Sequence, residues 1–320
     1  MLTRSDVLAA DVQIREHIRR TPLVQVYGSP QPLWLKCEFM QHTGSFKARG
    51  AFNRVFSAKS RGELDPAVGI VAASGGNAGM ANAYAAARAG VPATVFVPLT
   101  APPVKVARLR EYGALVRQVG NEYVEAFDAA IEYASQTGAV FCHAYDQLEI
   151  AAGAGTLAEE ILHDEPEIDT VIVSVGGGGL LAGVLAGIDG RAKVVAVEPR
   201  TIPTLNAALT AGKPLDVSVS GIAADSLGAR RIGNVAFDTA SKIAVSSVLV
   251  DDVDIDAART RLWTEYRIAA EHGAATAYAA LTSGAYTPTT GERVCVVICG
   301  ANTDPATLAT VPVETALSRR

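Results

Sequence analysis

Cysteine is scarce in this chain of 320 residues: Cys37, Cys142, Cys295 and Cys299 are the only four, and none forms a CxxC pair. That is too few for a disulfide framework. Histidine is equally sparse, at His17, His42, His143, His163 and His272, and no HExxH or comparable spacing offers a zinc site. Basic charge is not in excess. Lys and Arg number 28 against 33 Asp and Glu, a net charge of -5, which argues against nucleic acid or another polyanion as a partner. No stretch approaches the roughly 20 apolar residues of a membrane helix. The N-terminus, Met1 to Asp6, meets charge at once and runs into an amphipathic segment through Arg20 with no apolar signal core, so the cytoplasm is the expected address. Linkers rich in Pro, Gly or Ser, repeats and low-complexity tracts are also missing.

What remains is a globular composition, 49 % apolar and 19 % charged, able to bury a large core and suited to a small-molecule ligand. From Gly69 onward, β-branched runs alternate with Ala-rich segments of helical period. Strands are expected at 69–73, 93–98, 115–119, 139–143, 170–175, 193–198 and 294–299. Helices are expected at 78–89, 104–112, 123–136, 151–163 and 180–188. Such alternation implies parallel strands joined by crossover helices. Near-continuous apolar strands imply sheets covered on both faces. The expectation is an α/β protein with two open, mainly parallel, twisted sheets flanked by helices, and a ligand cleft beyond the carboxyl ends of the strands.

Four segments carry chemistry. His42 to Ala51 is a glycine-bearing turn running into a helix, with Lys47 just inside the helix start. Cations are disfavoured there, and the same placement lowers an amine's pKa toward that of a nucleophile or base. The decapeptide alone suits a solvated helix lysine equally well. Ser74-Gly75-Gly76-Asn77-Ala78-Gly79 lies between a strand and a helix, where unshielded N–H groups form a nest for a carboxylate or phosphate; a tight connecting turn is the plainer alternative. Val175 to Gly183 places four consecutive glycines, Gly176 to Gly179, at a strand exit. Their ordering cost favours close approach to a phosphate over a plain turn. Val296 to Asn302 ends a buried strand at Cys299, which is either an inert core thiol or a functional one.

A rival reading uses the third segment differently. Gly177 to Ala182 satisfies the permissive GxGxxA dinucleotide fingerprint, and Glu198 ends the next strand where a ribose-binding acid would stand. An NAD(P)-dependent oxidoreductase therefore stays open, although it gives Lys47 and the Asn77 turn no task.

Taken in order from Thr21-Pro22-Leu23 through Asn302, these segments resemble the tryptophan-synthase-β-like (fold type II) pyridoxal-phosphate (PLP) enzymes, specifically the serine/threonine dehydratase family. The resemblance implies PLP in a cleft between a large domain, residues 1–52 and 144–320, and a small domain, 53–143, that carries the Asn loop. It implies that Lys47 forms the Schiff base beside Phe46, and that Asn77 bonds the ring 3'-oxygen. Gly176, Gly177, Gly178 and Gly179 would hold the phosphate, and Cys299 would face the pyridine nitrogen. Ser74, Gly75, Gly76, Asn77 and Ala78 would receive the substrate carboxylate. The implied reaction is β-elimination from a small hydroxy-amino acid such as L-serine or L-threonine, with Lys47 taking the Cα proton, to give a 2-oxo acid and ammonia. A thiol, with a pKa of about 8.5, is a weak partner for the pyridine nitrogen, and this favours elimination over transamination. A homodimer is also implied.

Departures from the family pattern narrow the reading. Resembling racemases carry a serine base where this chain has Gly75, so dehydratase is preferred; serine racemase and hydroxyaspartate dehydratase are the alternatives within the family. Glu198 matches a cation-binding Glu, but Thr204 replaces a later acidic ligand. With Ile202 this points to a monovalent cation such as potassium, a helix cap at Thr204 being an equal alternative. His272 follows Glu271 where resembling sequences have Pro, which leaves the direction of Glu271 open. With the sequence ending at Arg320, no regulatory domain and no isoleucine feedback are expected.

Overall fold

The alternation of short apolar runs with alanine-rich segments sets the architecture. The computed structural model describes residues 1–308. Its strands are β1 (Leu23–Val26), β2 (Leu33–Lys36), β3 (Ile70–Ala73), β4 (Ala93–Val97), β5 (Leu115–Gln118), β6 (Val140–Cys142), β7 (Thr170–Ser174), β8 (Lys193–Pro199), β9 (Ser246–Val250) and β10 (Val294–Val297). Its helices are α1 (Arg4–Ile14), α2 (Lys47–Ser60), α3 (Asn77–Ala89), α4 (Pro103–Glu111), α5 (Tyr123–Thr137) and α6 (Leu148–Asp164), followed by α7 (Gly179–Ile188), α8 (Thr204–Ala211), α9 (Ala224–Leu227), α10 (Asn234–Ala240), α11 (Asp252–Tyr266) and α12 (His272–Thr282).

The strands form two sheets, one of order β1-β2-β10-β7-β8-β9 and one of order β5-β4-β3-β6. All pairings are parallel except β1 with β2, which is antiparallel at the edge of the larger sheet. Strands β3, β4 and β7 are buried at every position, as expected where helices cover both faces. The edge strands β1 and β5 are largely exposed. The expected α/β class with two mainly parallel, helix-flanked sheets is the class observed. Strands β1, β2 and β9 add to the series read from residue 69. Strand β1 carries Gln25, β2 ends on Lys36, and β9 opens on two serines, so none shows the uninterrupted apolar run of β3 or β10.

Strand order fixes where a ligand goes. In the smaller sheet the chain moves outward from β3 to β5 and then returns β6 to the other side of β3. In the larger sheet it moves from β7 to β9 and then places β10 on the other side of β7. Loops leaving adjacent strands in opposite directions open a crevice at each reversal, beyond the carboxyl ends. The four segments singled out by sequence converge on these two places. Ser74–Asn77 follows β3, Gly176–Gly179 follows β7, Cys299 follows β10, and the α2 turn is stitched to the end of β10.

Candidate active site

The stitching is done by backbone. Phe46 N–H donates to the Cys299 carbonyl at 3.0 Å, Ala301 N–H donates to the Gly44 carbonyl at 3.0 Å, and Ser45 bridges Gly300. The first turn of α2 is thereby fixed beside the end of β10. The turn before it is strained and underpaired. Thr43 has a φ of 59°, unusual for a β-branched residue. Among the described residues, the buried hydroxyls of Thr43 and Ser45 have no hydrogen-bond partner. Such features collect at functional sites.

Lys47 is the first residue of α2, and its Nζ donates to the Ala144 carbonyl at 2.8 Å. Burial pushes its pKa down to about 8, opposed by Cys299 and Glu271. An amine with that pKa is partly neutral near pH 7–8 and so serves as nucleophile and base. The Phe46 ring lies 5.0 Å from the Lys47 ammonium.

Asn77 begins α3, and its Nδ2 donates to Glu271 Oε1 at 2.8 Å and Oε2 at 3.1 Å. Its Oδ1 accepts from Asn302 Nδ2 at 2.8 Å, and Asn302 also donates to the Thr43 carbonyl at 2.7 Å. The Asn loop of the smaller sheet is thus tied to the α12 start and to the β10 exit. The direction of Glu271, left open by sequence, is inward: the residue is 7 % exposed. Burial raises its pKa to about 7, against the Asn77 hydrogen bonds and Lys47. Cys299 is buried, and burial, then Glu271, pushes its thiol well above the usual range, so the sulfur stays protonated and uncharged. The Asn77–Glu271–Asn302 network went unread because its members lie 194 and 225 positions apart along the chain.

Gly176–Gly179 turns from β7 into α7, with Gly178 at a φ of 87°, a conformation that favours glycine. Among the described residues, none of the four N–H groups donates to the rest of the chain, and all stand at the positive end of a helix, the arrangement that receives phosphate. A Cβ on Gly177 would lie 2.4 Å from the Tyr145 ring, and one on Gly179 would lie 2.8 Å from the Tyr145 carbonyl. Tyr145 follows Ala144, the acceptor of Lys47, so one short segment beyond β6 brackets the lysine and the glycine loop together. On the Asn loop, a Cβ at Gly75 would touch only Val97 at 3.6 Å, and Gly76 has nothing within 4 Å. With Ser74 and Ala78 beside them, these two positions leave room for a small ligand.

Glu198 stands apart from this constellation. It is fully buried and accepts from Leu205 N–H at 2.7 Å, Asn206 N–H at 2.9 Å and Thr204 Oγ1 at 3.0 Å, capping α8. Thr204 Oγ1 also approaches the Gly176 carbonyl at 2.6 Å, and the Ile202 carbonyl accepts from Thr204 N–H at 3.1 Å. A carboxylate sealed into a helix start cannot bind a ribose. The NAD(P) reading of Gly177–Ala182 with Glu198 is therefore withdrawn.

The site's chemistry matches PLP group by group: a depressed buried amine for the aldehyde, a helix-start glycine loop for the phosphate, and a neutral thiol for the pyridine nitrogen. Comparison with known proteins agrees. The chain is 34% identical over 318 residues to the L-threonine ammonia-lyase of Geobacter sulfurreducens, covering 97% of this chain and 78% of that one. It is 33% identical over 312 residues to the phenylserine dehydratase of Ralstonia pickettii, covering 95% and 94%. The structure of maize serine racemase superposes with a TM-score of 0.88 at 27% identity, covering 96% of each chain. Residues 14–300 match the family model described as "Pyridoxal-phosphate dependent enzyme", and since that span holds Lys47, Asn77, the glycine loop and Cys299, this chain belongs to the PLP-dependent enzymes of fold type II and uses pyridoxal phosphate.

Proposed function

We propose that the chain is an ammonia-lyase that eliminates the β-hydroxyl of a small hydroxy-amino acid, L-threonine or L-serine, as water, the product imine then taking up one water to release ammonia and give a 2-oxo acid. The observation that carries this reading is the half-buried Lys47 amine at the start of α2, depressed to about 8 by desolvation and donating to the carbonyl of Ala144, whose neighbour Tyr145 packs on the glycine loop. Bound PLP supplies an electron sink for the Cα–H bond. Lys47 would hold the cofactor through its amine, and its Nζ, once free, would take the Cα proton of the substrate. The N–H groups of Gly176–Gly179 hold the phosphate. Ser74, Gly75, Gly76, Asn77 and Ala78 would orient the substrate carboxylate, and Asn77, held on Glu271, would bond the ring oxygen. Cys299 would meet the pyridine nitrogen as an uncharged thiol, and Phe46, beside Lys47, would pack against the ring. The similarity to L-threonine ammonia-lyase supports the substrate class, and the similarity to phenylserine dehydratase supports elimination of a β-hydroxyl in general.

The proposal extends to organisation. A small unit, 53–143, carries the Asn loop beside a large unit, 1–52 and 144–320, of which 309–320 lie outside the described residues, with α2 passing between them. The working form is a cytoplasmic homodimer; no helix among the described residues is long and apolar enough to cross a membrane. A monovalent cation such as potassium is assigned to Glu198, Ile202 and Thr204. The decisive experiment offers L-Thr, L-Ser, D-Ser, threo-3-hydroxyaspartate and O-acetylserine to the PLP-loaded enzyme and measures 2-oxo acid and ammonia. Release from L-Thr or L-Ser is expected; a PLP-loaded protein inert toward the whole panel refutes the lyase assignment.

A further inference from the structure

Directly beneath α2 lies a second cluster of charged side chains that the chemistry above does not use. Arg49 is 0 % exposed. Its Nε and Nη2 donate to the two oxygens of Glu38, each at 2.8 Å. Its Nη1 and Nη2 donate to the two oxygens of Glu160, again at 2.8 Å, and Nη1 reaches Thr156 Oγ1 at 2.9 Å. Lys36 completes the set, donating to Glu160 at 2.5 Å and to the Thr21 carbonyl at 2.7 Å, while the Thr21 hydroxyl donates to Glu38 at 2.5 Å.

Neither stability nor electrostatics accounts for the arrangement. Buried ion pairs are often replaceable by apolar side chains without loss of stability. The two cations and two carboxylates cancel, and the Lys47 amine answers to burial, Cys299 and Glu271 instead. Geometry does account for it. Successive helix residues are turned by about 100°, so Lys47 and Arg49 point to nearly opposite sides of α2. A planar fork held by two carboxylates fixes the rotation of the helix about its axis, and so fixes the aim of Lys47. The partners come from the elements that define the site. Glu38 follows β2, which pairs with β10 as far as Val297↔Lys36. Glu160 and Thr156 lie on α6, whose Gly153 meets the Arg49 carbonyl so closely that an added Cβ would sit 2.5 Å from it.

We propose that Arg49, through Glu38 and Glu160, is the positioning residue for Lys47, setting the direction from which its amine meets the cofactor. This rests on Lys47 being the anchor, as read above. The test compares three holoenzymes: the parent, Arg49→Lys, which keeps the charge and loses the fork, and Glu292→Gln. Glu292 serves as a control because it belongs to a separate buried network with Thr170 and Tyr286. Borohydride reduction followed by peptide mass spectrometry must first find the cofactor on Lys47 in the parent; finding it elsewhere refutes the anchor assignment and this inference with it. Given that result, Arg49→Lys should lower the visible circular dichroism per bound cofactor at least twofold. It should also slow condensation of the Lys47 amine with the PLP aldehyde, with loss of water, by roughly tenfold to a hundredfold, since a misplacement of about 1 Å at a reacting centre costs on the order of a hundredfold. In turnover, kcat should fall with KM nearly unchanged. Glu292→Gln should leave dichroism and condensation rate as in the parent even where its melting temperature drops as far. Parent-like dichroism and rate in Arg49→Lys, or equal losses in both variants, overturn the proposal. If Arg49→Lys yields no folded protein, Thr156→Val, which removes one bond to the fork, carries the same comparison: smaller changes in both readouts support positioning, and unchanged values refute it.

Discussion

Two groups of titratable side chains flank the first turn of α2, a fully buried one around Arg49 and a partly buried one around Lys47, and their charges behave in opposite ways. Below the helix, every charge has a partner at 2.5–2.8 Å. There the carboxyl of Glu160 is held below its ordinary range because Arg49 and Lys36 outweigh its burial. Above the helix, Lys47 and Glu271 have no ion pair among the described residues, burial dominates, and their pKa values move toward each other, to about 8 and about 7. Burial alone therefore does not decide whether a group is structural or reactive. Pairing does: a saturated cluster is chemically silent, and an unsaturated one is poised near neutrality.

The largest expected effect comes from removing the unsaturated amine. Lys47→Ala should lower 2-oxo acid formation by at least about 10³-fold, within the range general-base groups supply, while the melting temperature holds or rises. Removing the saturated cation should do the reverse of this to stability. Arg49→Met leaves Glu38 and Glu160 with Lys36 alone, and urea unfolding should show a loss of about 3–5 kcal/mol. A destabilised Lys47→Ala together with a parent-like Arg49→Met would break the comparison outright.

Dependence on pH sharpens it. Glu160, with its folded pKa depressed, adds stability that is present above its unfolded value near 4.5 and is lost as pH falls. Glu271, with its folded pKa raised to about 7, adds stability that is present below 4.5 and is lost as pH rises through 7. Its full amplitude is on the order of 3 kcal/mol, so Glu271→Gln should lose less stability than the parent between pH 5 and pH 8 in denaturant titrations. Activity should rise with pH as the Lys47 amine loses its proton around 8. Because Glu271 raises the Lys47 pKa, the same variant should shift that midpoint to lower pH, and an unmoved midpoint would separate the two groups.

Two smaller effects probe the margins of the site. Gly75→Ser, placing a hydroxyl where the chain now has open space, should raise racemisation relative to elimination in chiral amino-acid analysis; an unchanged ratio counts against the one-base mechanism. Exchange of potassium for sodium should alter turnover by only a few-fold through Glu198 and Thr204, whose oxygens are already engaged by α8 and the Gly176 loop. Thr204→Val should abolish that few-fold difference between the two cations.

Legibility in the sequence follows the same division. Glycine runs at strand exits and a lysine at a helix start are local signals, and they placed Lys47, Asn77, the Gly176 loop and Cys299 on segments that the fold brings together. The Arg49 cluster was invisible. Inside α2, an arginine among Lys47, Arg54 and Lys59 reads as part of a solvated face, and Glu38 follows a strand of only four residues. A charge that is buried because a distant charge meets it carries no local mark. The same holds for Glu271, whose role depends on an asparagine from the other sheet.

Strand order has a further consequence, for how the chain folds as it is made. The smaller sheet is drawn wholly from residues 70–142, so it is complete soon after that stretch leaves the ribosome. The larger sheet keeps a central place, between β2 and β7, for β10, which begins only at Val294. Such long-range pairings are slow to close. Until β10 arrives, the α2 turn lacks the Cys299 carbonyl that fixes Phe46. The proposed cofactor site is therefore among the last features to form, and cofactor uptake should serve as a late reporter in refolding, lagging behind the helical signal.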